Sequence, residues 1–272
     1  MGNVGLFLIG AVLLVNGLGL LGRFNPRSAV PLNLFVGGIQ VILPTIGLVF
    51  DYQVPGAPAG YASLYLFGFT YLWVALDTLR GDSGQAFGAF SGFVAVIAVI
   101  QGFLSLRTDP PFAIAWWLWA FMWGAFFLLQ YSGVKRVAGV DLAAFTGWLL
   151  IIGGQVSATV PALLRLNDAW PAQSTGFFVL MSAAGLLTLA LSYALAAGRI
   201  CVLTTPAAPS AHTIEVPDAA ETVPAAGERA AVVESAAAAA VQVSPAVRVP
   251  SALQAPASKQ EPARESPAEA AL

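Results

Sequence analysis

Long apolar runs alternate with short polar breaks through the first three quarters of the chain, and then stop. Seven runs, near 4–22, 30–50, 61–79, 86–106, 111–131, 143–164 and 174–198, are each long enough, or nearly so, to cross roughly 30 Å of hydrocarbon as a helix. The pattern predicts an all-α membrane protein with about seven transmembrane helices. The breaks hold nearly all the charges of this part: Arg23, Arg27, Asp51, Arg80, Asp82, Arg107, Asp109, Lys135, Arg136, Asp141, Arg165, Asp168 and Arg199. Gly and Pro gather there too, as in Asn25-Pro26 and Pro110-Pro111, where they end helices. The first run has no basic segment ahead of it and no clear small-x-small cleavage site, so it reads as a span and not as a signal peptide.

The basic residues set an expected orientation. Loops after runs one, three, five and seven carry Arg23, Arg27, Arg80, Lys135, Arg136 and Arg199, and the others carry only Arg107 and Arg165. Basic loops stay in the cytoplasm, which puts the N-terminus outside and the C-terminal tail inside.

Composition sharpens the division. Charged residues are 10% of the 272, against about a quarter in a soluble domain, so lipid is the natural solvent of this chain. The net charge of -2 says nothing about nucleic acid, and no basic cluster argues for it, so no nucleic-acid partner is expected. All acids before residue 200 are aspartates in or beside loops, whereas Glu215 to Glu269 carry a second acidic set. A break near 203 therefore separates a transmembrane domain, 1–202, from an Ala/Pro/Glu-rich tail, 203–272, with no aromatic residue and the composition of disordered cytoplasmic chain. The single cysteine, Cys201, and single histidine, His212, leave no disulfide and no metal or cofactor site. No Ser/His/Asp or Cys/His set lies in the spans, so an enzyme is not expected.

A weak internal repeat joins the first and fifth spans. Gly10, Asn16, Gly37-Gly38 and Pro44 are echoed by Gly124, Gln130, Gly153-Gly154 and Pro161, offset by about 114–117 residues. Four spans separate the copies, which makes the repeat a parallel one, as in some transporter folds.

Aromatic residues supply the candidate chemistry. Trp116, Trp119, Trp123 and Phe127 stand at i, i+3, i+7 and i+11, and Phe112 extends the stripe. Rings at a membrane interface would explain the first of these, but Trp123 lies roughly 18 Å along the helix from Pro111, near the bilayer centre. The stripe either faces a conduction path or packs as core. Tyr71 and Phe67, one turn apart, are the candidates opposite it. A slit between rings suits a small planar neutral solute, whose polar groups need partners from indole N–H, tyrosine O–H or backbone carbonyls. Asn16, Asn33, Gln40, Gln101, Gln130 and Gln155 are the polar intramembrane residues. Asn16 and Asn33 suit bonds between helices, and Gln155, beside Gly153-Gly154, suits either that or the path. Asp77, three residues before Arg80, suits an i,i+3 ion pair. No titratable residue lies mid-membrane, which argues for facilitated diffusion over proton coupling.

Four blocks resemble the family of amide transporters and acid-gated urea channels. They are Asn16-Gly17…Pro26-Arg27-Ser28…Asn33-Leu34-Phe35-Val36-Gly37-Gly38, then Leu66 to Leu72, the tryptophan-rich run Trp116 to Gly124, and Thr146…Trp148-Leu149…Ile151-Ile152…Pro161. The resemblance, over roughly 1–165, implies a helical pore in each protomer and a cyclic homo-oligomer, a hexamer in the urea channels. It implies urea or short aliphatic amides as solutes, passed to a cytoplasmic urease or amidase. By resemblance Phe67, Tyr71, Trp116, Trp123 and Phe127 match aromatic constriction positions, and Ile9 and Leu13 aliphatic ones. Gly153 stands where the urea channel has an intramembrane glutamate, and no histidine-bearing outer loop is present. Both departures favour the amide-transporter branch and a pore that is not acid-gated. Ala120 and Phe127 replace two tryptophans of the pattern, implying a wider slit. A seventh span is added. The alternatives to a passive amide channel are a secondary active amide transporter and a non-transporting membrane sensor or scaffold.

Overall fold

A computed structural model of the chain describes residues 2–198 apart from Pro55; the tail expected to be disordered, with Cys201 and His212, lies outside the described residues. The helices are α1 (Gly2–Leu20), α2 (Val30–Asp51), α3 (Ala57–Arg80), α4 (Gln85–Ser105), α5 (Pro110–Phe126), α6 (Leu142–Gly154), α7 (Val160–Leu166) and α8 (Thr175–Ala196). A π turn, Phe127–Tyr131, continues α5, and a second, Gln155–Thr159, joins α6 to α7 into one rod. Seven rods among the described residues are long and apolar enough to cross a membrane. They coincide with the seven expected runs; the third begins earlier than expected, at Ala57.

The ends follow from local chemistry. Side chains of Asp109, Asp141 and Ser174 accept hydrogen bonds from the backbone N–H groups of Phe112, Ala144 and Phe177, capping α5, α6 and α8. Gly81, at φ 73°, closes α3 in the left-handed conformation that a side chain would strain. A two-residue antiparallel hairpin, β1 (Arg136–Val137) and β2 (Val140–Asp141), links the π turn to α6.

The core draws on every span but the last. Leu6, Ile9, Val12 and Leu13 of α1 meet Val36 of α2, Phe67 and Tyr71 of α3, Val94 of α4, the tryptophans of α5 and Leu149 of α6. The added α8 reaches this core only through Leu189 and mainly packs outside it, where Met181 meets Ile114 and Leu118 of α5. Outward positions such as Phe35, Phe50, Phe93 and Leu186 are exposed large apolar side chains, as a lipid-facing surface requires.

Small residues set the closest approach. A Cβ built on Gly17 would lie 2.6 Å from the carbonyl oxygen of Gly147, and one on Gly147 would lie 3.0 Å from that of Gly17. Helices in lipid gain from such contacts because backbones pack closely where no side chain intervenes. Gly17→Val is therefore expected to lose about 1–3 kcal/mol or more through overpacking against backbone. Gly38→Ala, whose added carbon meets nothing within 4 Å, should be neutral. Thermal denaturation in detergent, followed by size-exclusion fluorescence, separates the two.

Candidate conduction pathway

Three cavities lie in line along the bundle. The first, about 470 Å3, opens between the N-terminal ends of α1, α3 and α5 and the C-terminal ends of α4 and α7. The third, about 210 Å3, opens at the opposite end near Asn16, Asn33, Thr78 and Gln130. Between them is a waist cavity of about 30 Å3, room for little more than a water molecule. Phe67 and Trp119 wall both the first cavity and the waist; Asn16, Val74, Phe87 and Phe126 wall both the waist and the third.

Phe67 is the hub of the first partition. Its ring centroid lies 4.8 Å from those of Trp119 and Trp123 and 6.3 Å from Trp116. Trp116 and Trp119 meet edge-on at 4.9 Å. Edge-to-face contacts set the positive rim of one ring against the negative face of the next and hold these rings in fixed poses. All four side chains are buried.

The indole N–H groups are already used. Trp119 Nε1 donates to Ser157 Oγ at 2.9 Å, and Ser157 Oγ donates to the Gly153 carbonyl at 2.5 Å. Trp123 Nε1 donates to Thr70 Oγ1 at 3.2 Å, and Thr70 donates to the Leu66 carbonyl at 2.7 Å. The expectation that indole N–H would serve a solute is corrected for these two. The Tyr71 hydroxyl, on the waist wall, makes no hydrogen bond among the described residues. Asn16 and Asn33 exchange two amide hydrogen bonds, at 2.9 and 2.8 Å, and Asn33 also donates to the Ala29 carbonyl. That is the bond between helices read from the sequence, placed where Asn16 borders both the waist and the third cavity. No residue on the waist carries a charge.

The structure gathers most of the candidate residues. Leu13, Phe67, Tyr71, Trp119 and Trp123 wall the waist, and Ile9 and Trp116 wall the first cavity. Three candidates stand elsewhere. Phe127 packs against Gly92 of α4 and stacks on Tyr131 at 5.4 Å, bordering a lateral groove. The α5 face on the waist is Trp119, Met122, Trp123 and Phe126, at i, i+3, i+4 and i+7; Phe127 stands about 100° farther round than Phe126. Ala120 also borders that groove, so the two missing tryptophans do not widen the waist. Gly153 is a packing position, where a Cβ would come within 2.5 Å of Met122 and 3.4 Å of Thr188 on α8. Gln155 donates to the Gly10 carbonyl at 3.2 Å and accepts from Thr159, tying the π turn to α1. Asp77 makes no ion pair with Arg80 among the described residues, against the expected i,i+3 pair.

Sequence reasoning missed a cluster at the mouth of the first cavity. Arg165 pairs with Asp109, the only ion pair among the described residues. The guanidinium lies 4.4 Å from the Phe112 ring centroid and 4.7 Å from that of Trp170, whose Nε1 donates to Asp109 at 3.0 Å. The residues come from three separate loops and helix ends, so spacing carried no signal. Phe126, by contrast, was legible from the i, i+3, i+4, i+7 spacing after Trp119.

Residues 1–169 match the family described as AmiS/UreI family transporter. The chain is 42% identical over 207 residues to the putative transporter protein AmiS2 of Rhodococcus erythropolis, covering 74% of this chain and 96% of that one. It is 28% identical over 195 residues to the acid-activated urea channel of Helicobacter pylori, covering 61% of this chain and 97% of that one. The crystal structure of the urea channel from that pathogen superposes with a TM-score of 0.56 at 30% identity, over 62% of this chain and 99% of the other.

Thr70→Val keeps the shape of the side chain but leaves the buried Trp123 N–H unpaired, at a cost of about 1–3 kcal/mol. A lowered unfolding temperature in detergent, with Trp123→Phe in the Thr70→Val background costing little more, is the expected double-mutant result.

Proposed function

We propose a function on a plain premise: the chain belongs to the AmiS/UreI transporter family. It is a multi-pass membrane protein of a family of transporters and channels, and its relatives are not enzymes. Within that family, we propose a passive channel for small neutral amides: acetamide, other short aliphatic amides and urea. It is not acid-gated. It sits in a bacterial inner membrane with its N-terminus outside and its tail inside, as a cyclic homo-oligomer beside a cytoplasmic amidase or urease.

The uncharged aromatic waist with a single uncommitted hydroxyl carries this reading. An ion entering it would lose its water with no charge to replace it, a cost of many kcal/mol. A planar amide loses much less. Its faces slide between Phe67, Trp119 and Trp123, and its N–H or C=O exchanges water for the Tyr71 hydroxyl. The firmly bonded indoles keep the slit in shape without holding the solute, and weak binding favours fast passage. With no carboxylate or imidazole on the waist, the walls offer no group that titrates between pH 5 and 7. Gly153, a packing position without a side chain, supplies none either.

Stopped-flow uptake into proteoliposomes tests this. Urea and acetamide should enter faster than into protein-free liposomes, butyramide more slowly, and rates at pH 5 and pH 7 should agree. Tyr71→Phe should slow acetamide by roughly threefold to tenfold, the equivalent of one net hydrogen bond. Uptake no faster than in empty liposomes would overturn the channel, and a rate that rises sharply at pH 5 would overturn the ungated pore.

A further inference from the structure

A further cavity lies on another face of α5 from the waist. It is a lateral groove of about 580 Å3 between α5, the β1–β2 hairpin, the start of α6 and the end of α8. Its floor is Ala120 and Gly124 of α5, and a Cβ built on Gly124 would meet nothing within 4 Å. Phe121 and Val137 on its rim are 55% and 46% exposed, so the groove opens outward, away from the waist. Tyr193 of α8 closes one end by donating to the Ala138 carbonyl at 3.1 Å. The last helix, peripheral to the core, is thus a wall of this groove.

No charged side chain lines the groove, but the hairpin that walls it through Val137, Ala138 and Val140 also carries Lys135 and Arg136, both exposed and within two residues of Val137. Arg136 makes a single hydrogen bond, to the Gly139 carbonyl at 2.8 Å, and the Lys135 ammonium has no protein partner among the described residues. The nearby acid, Asp141, is turned to the N-cap of α6, accepting from Ala144 at 2.8 Å. From Leu128 to Ala120 the groove follows α5 for about 12 Å, comparable with the roughly 15 Å of one leaflet's hydrocarbon.

We propose that this groove is a binding site for an anionic phospholipid, with one acyl chain along Ala120 and Gly124 and the phosphate headgroup against Lys135 and Arg136. The match is one of length and charge together. A bilayer lipid joins an apolar chain of leaflet length to an anion at the membrane surface, and the hairpin that walls this apolar trough carries two exposed cations beside it. The site stands independently of the solute the waist conducts.

Native mass spectrometry of the full chain, released from detergent containing equal dioleoylphosphatidylglycerol and dioleoylphosphatidylcholine, tests it. One phosphatidylglycerol per subunit is expected, favoured on the order of tenfold over phosphatidylcholine, as two basic side chains near an anionic headgroup imply. Lys135→Gln with Arg136→Gln should bring the ratio close to one, and these exposed changes leave the packing intact. Gly124→Leu, and separately Ala120→Leu, should remove both adducts while the size-exclusion profile is unchanged. Equal retention of the two lipids by the unaltered chain would overturn the site, as would undiminished binding in folded Leu variants. So would efficient subunit-to-subunit cross-linking through Phe121→Cys in a Cys201→Ser background, which seats a second copy in the groove.

Discussion

The bundle depends on satisfying the tryptophan N–H groups inside a buried, mostly apolar interior. In hydrocarbon an unpaired N–H costs several kcal/mol, so a buried indole needs a dedicated acceptor. Trp119 finds Ser157, and Trp123 finds Thr70. Each acceptor passes its own proton to a helix carbonyl four residues back. These two relays fix α5 against α3 and against the α6–α7 rod, and Phe67 sits between the rings they hold.

The π turn at Gln155–Thr159 belongs to the same arrangement. It is where the α6–α7 rod presents Ser157 to Trp119, and where Gln155 reaches Gly10 of α1. A wider turn frees backbone and shifts side-chain register, a feature often found beside functional sites. Gly153, just before it, lets Met122 approach and so lets α5 and α6 close on the waist. A glutamate there would displace Met122 and bring a charge to the wall of the path. A small residue at that point thus sets both the packing and the electrostatics of the interior.

The two ends of the protein differ in chemistry. One mouth is held by Arg165, stacked between Phe112 and Trp170 and paired with Asp109, so its charge is spent within the protein. The other end carries the hairpin and its free basic residues. Between them the path is uncharged, and the lateral groove, walled by α8, lies on another face of α5. One helix therefore serves two surfaces: Trp119, Met122, Trp123 and Phe126 for the waist, Ala120 and Gly124 for the groove.

Hydrophobic run length and loop charge by themselves determined seven membrane helices and, within a few residues, their limits, because a span must match the bilayer wherever it packs. The aromatic stripe and the absence of mid-membrane charge pointed to a neutral interior walled by Phe67, Tyr71, Trp116, Trp119 and Trp123, and the family resemblance added Ile9 and Leu13; these residues come together. Only the tertiary structure decided which arc of α5 is the inside, since the stripe from Trp116 to Phe127 covers one face of about 80° but spacing does not say where on the helix the waist is centred, and Phe127 falls at the edge of that arc. It moved Phe127 and Ala120 to the groove and Phe126 and Met122 to the waist. It also turned Gly153 and Gln155 into packing and bridging positions, and drew Asp109, Arg165 and Trp170 together. Those outcomes rest on contacts between residues tens of positions apart, and local spacing carries no record of them.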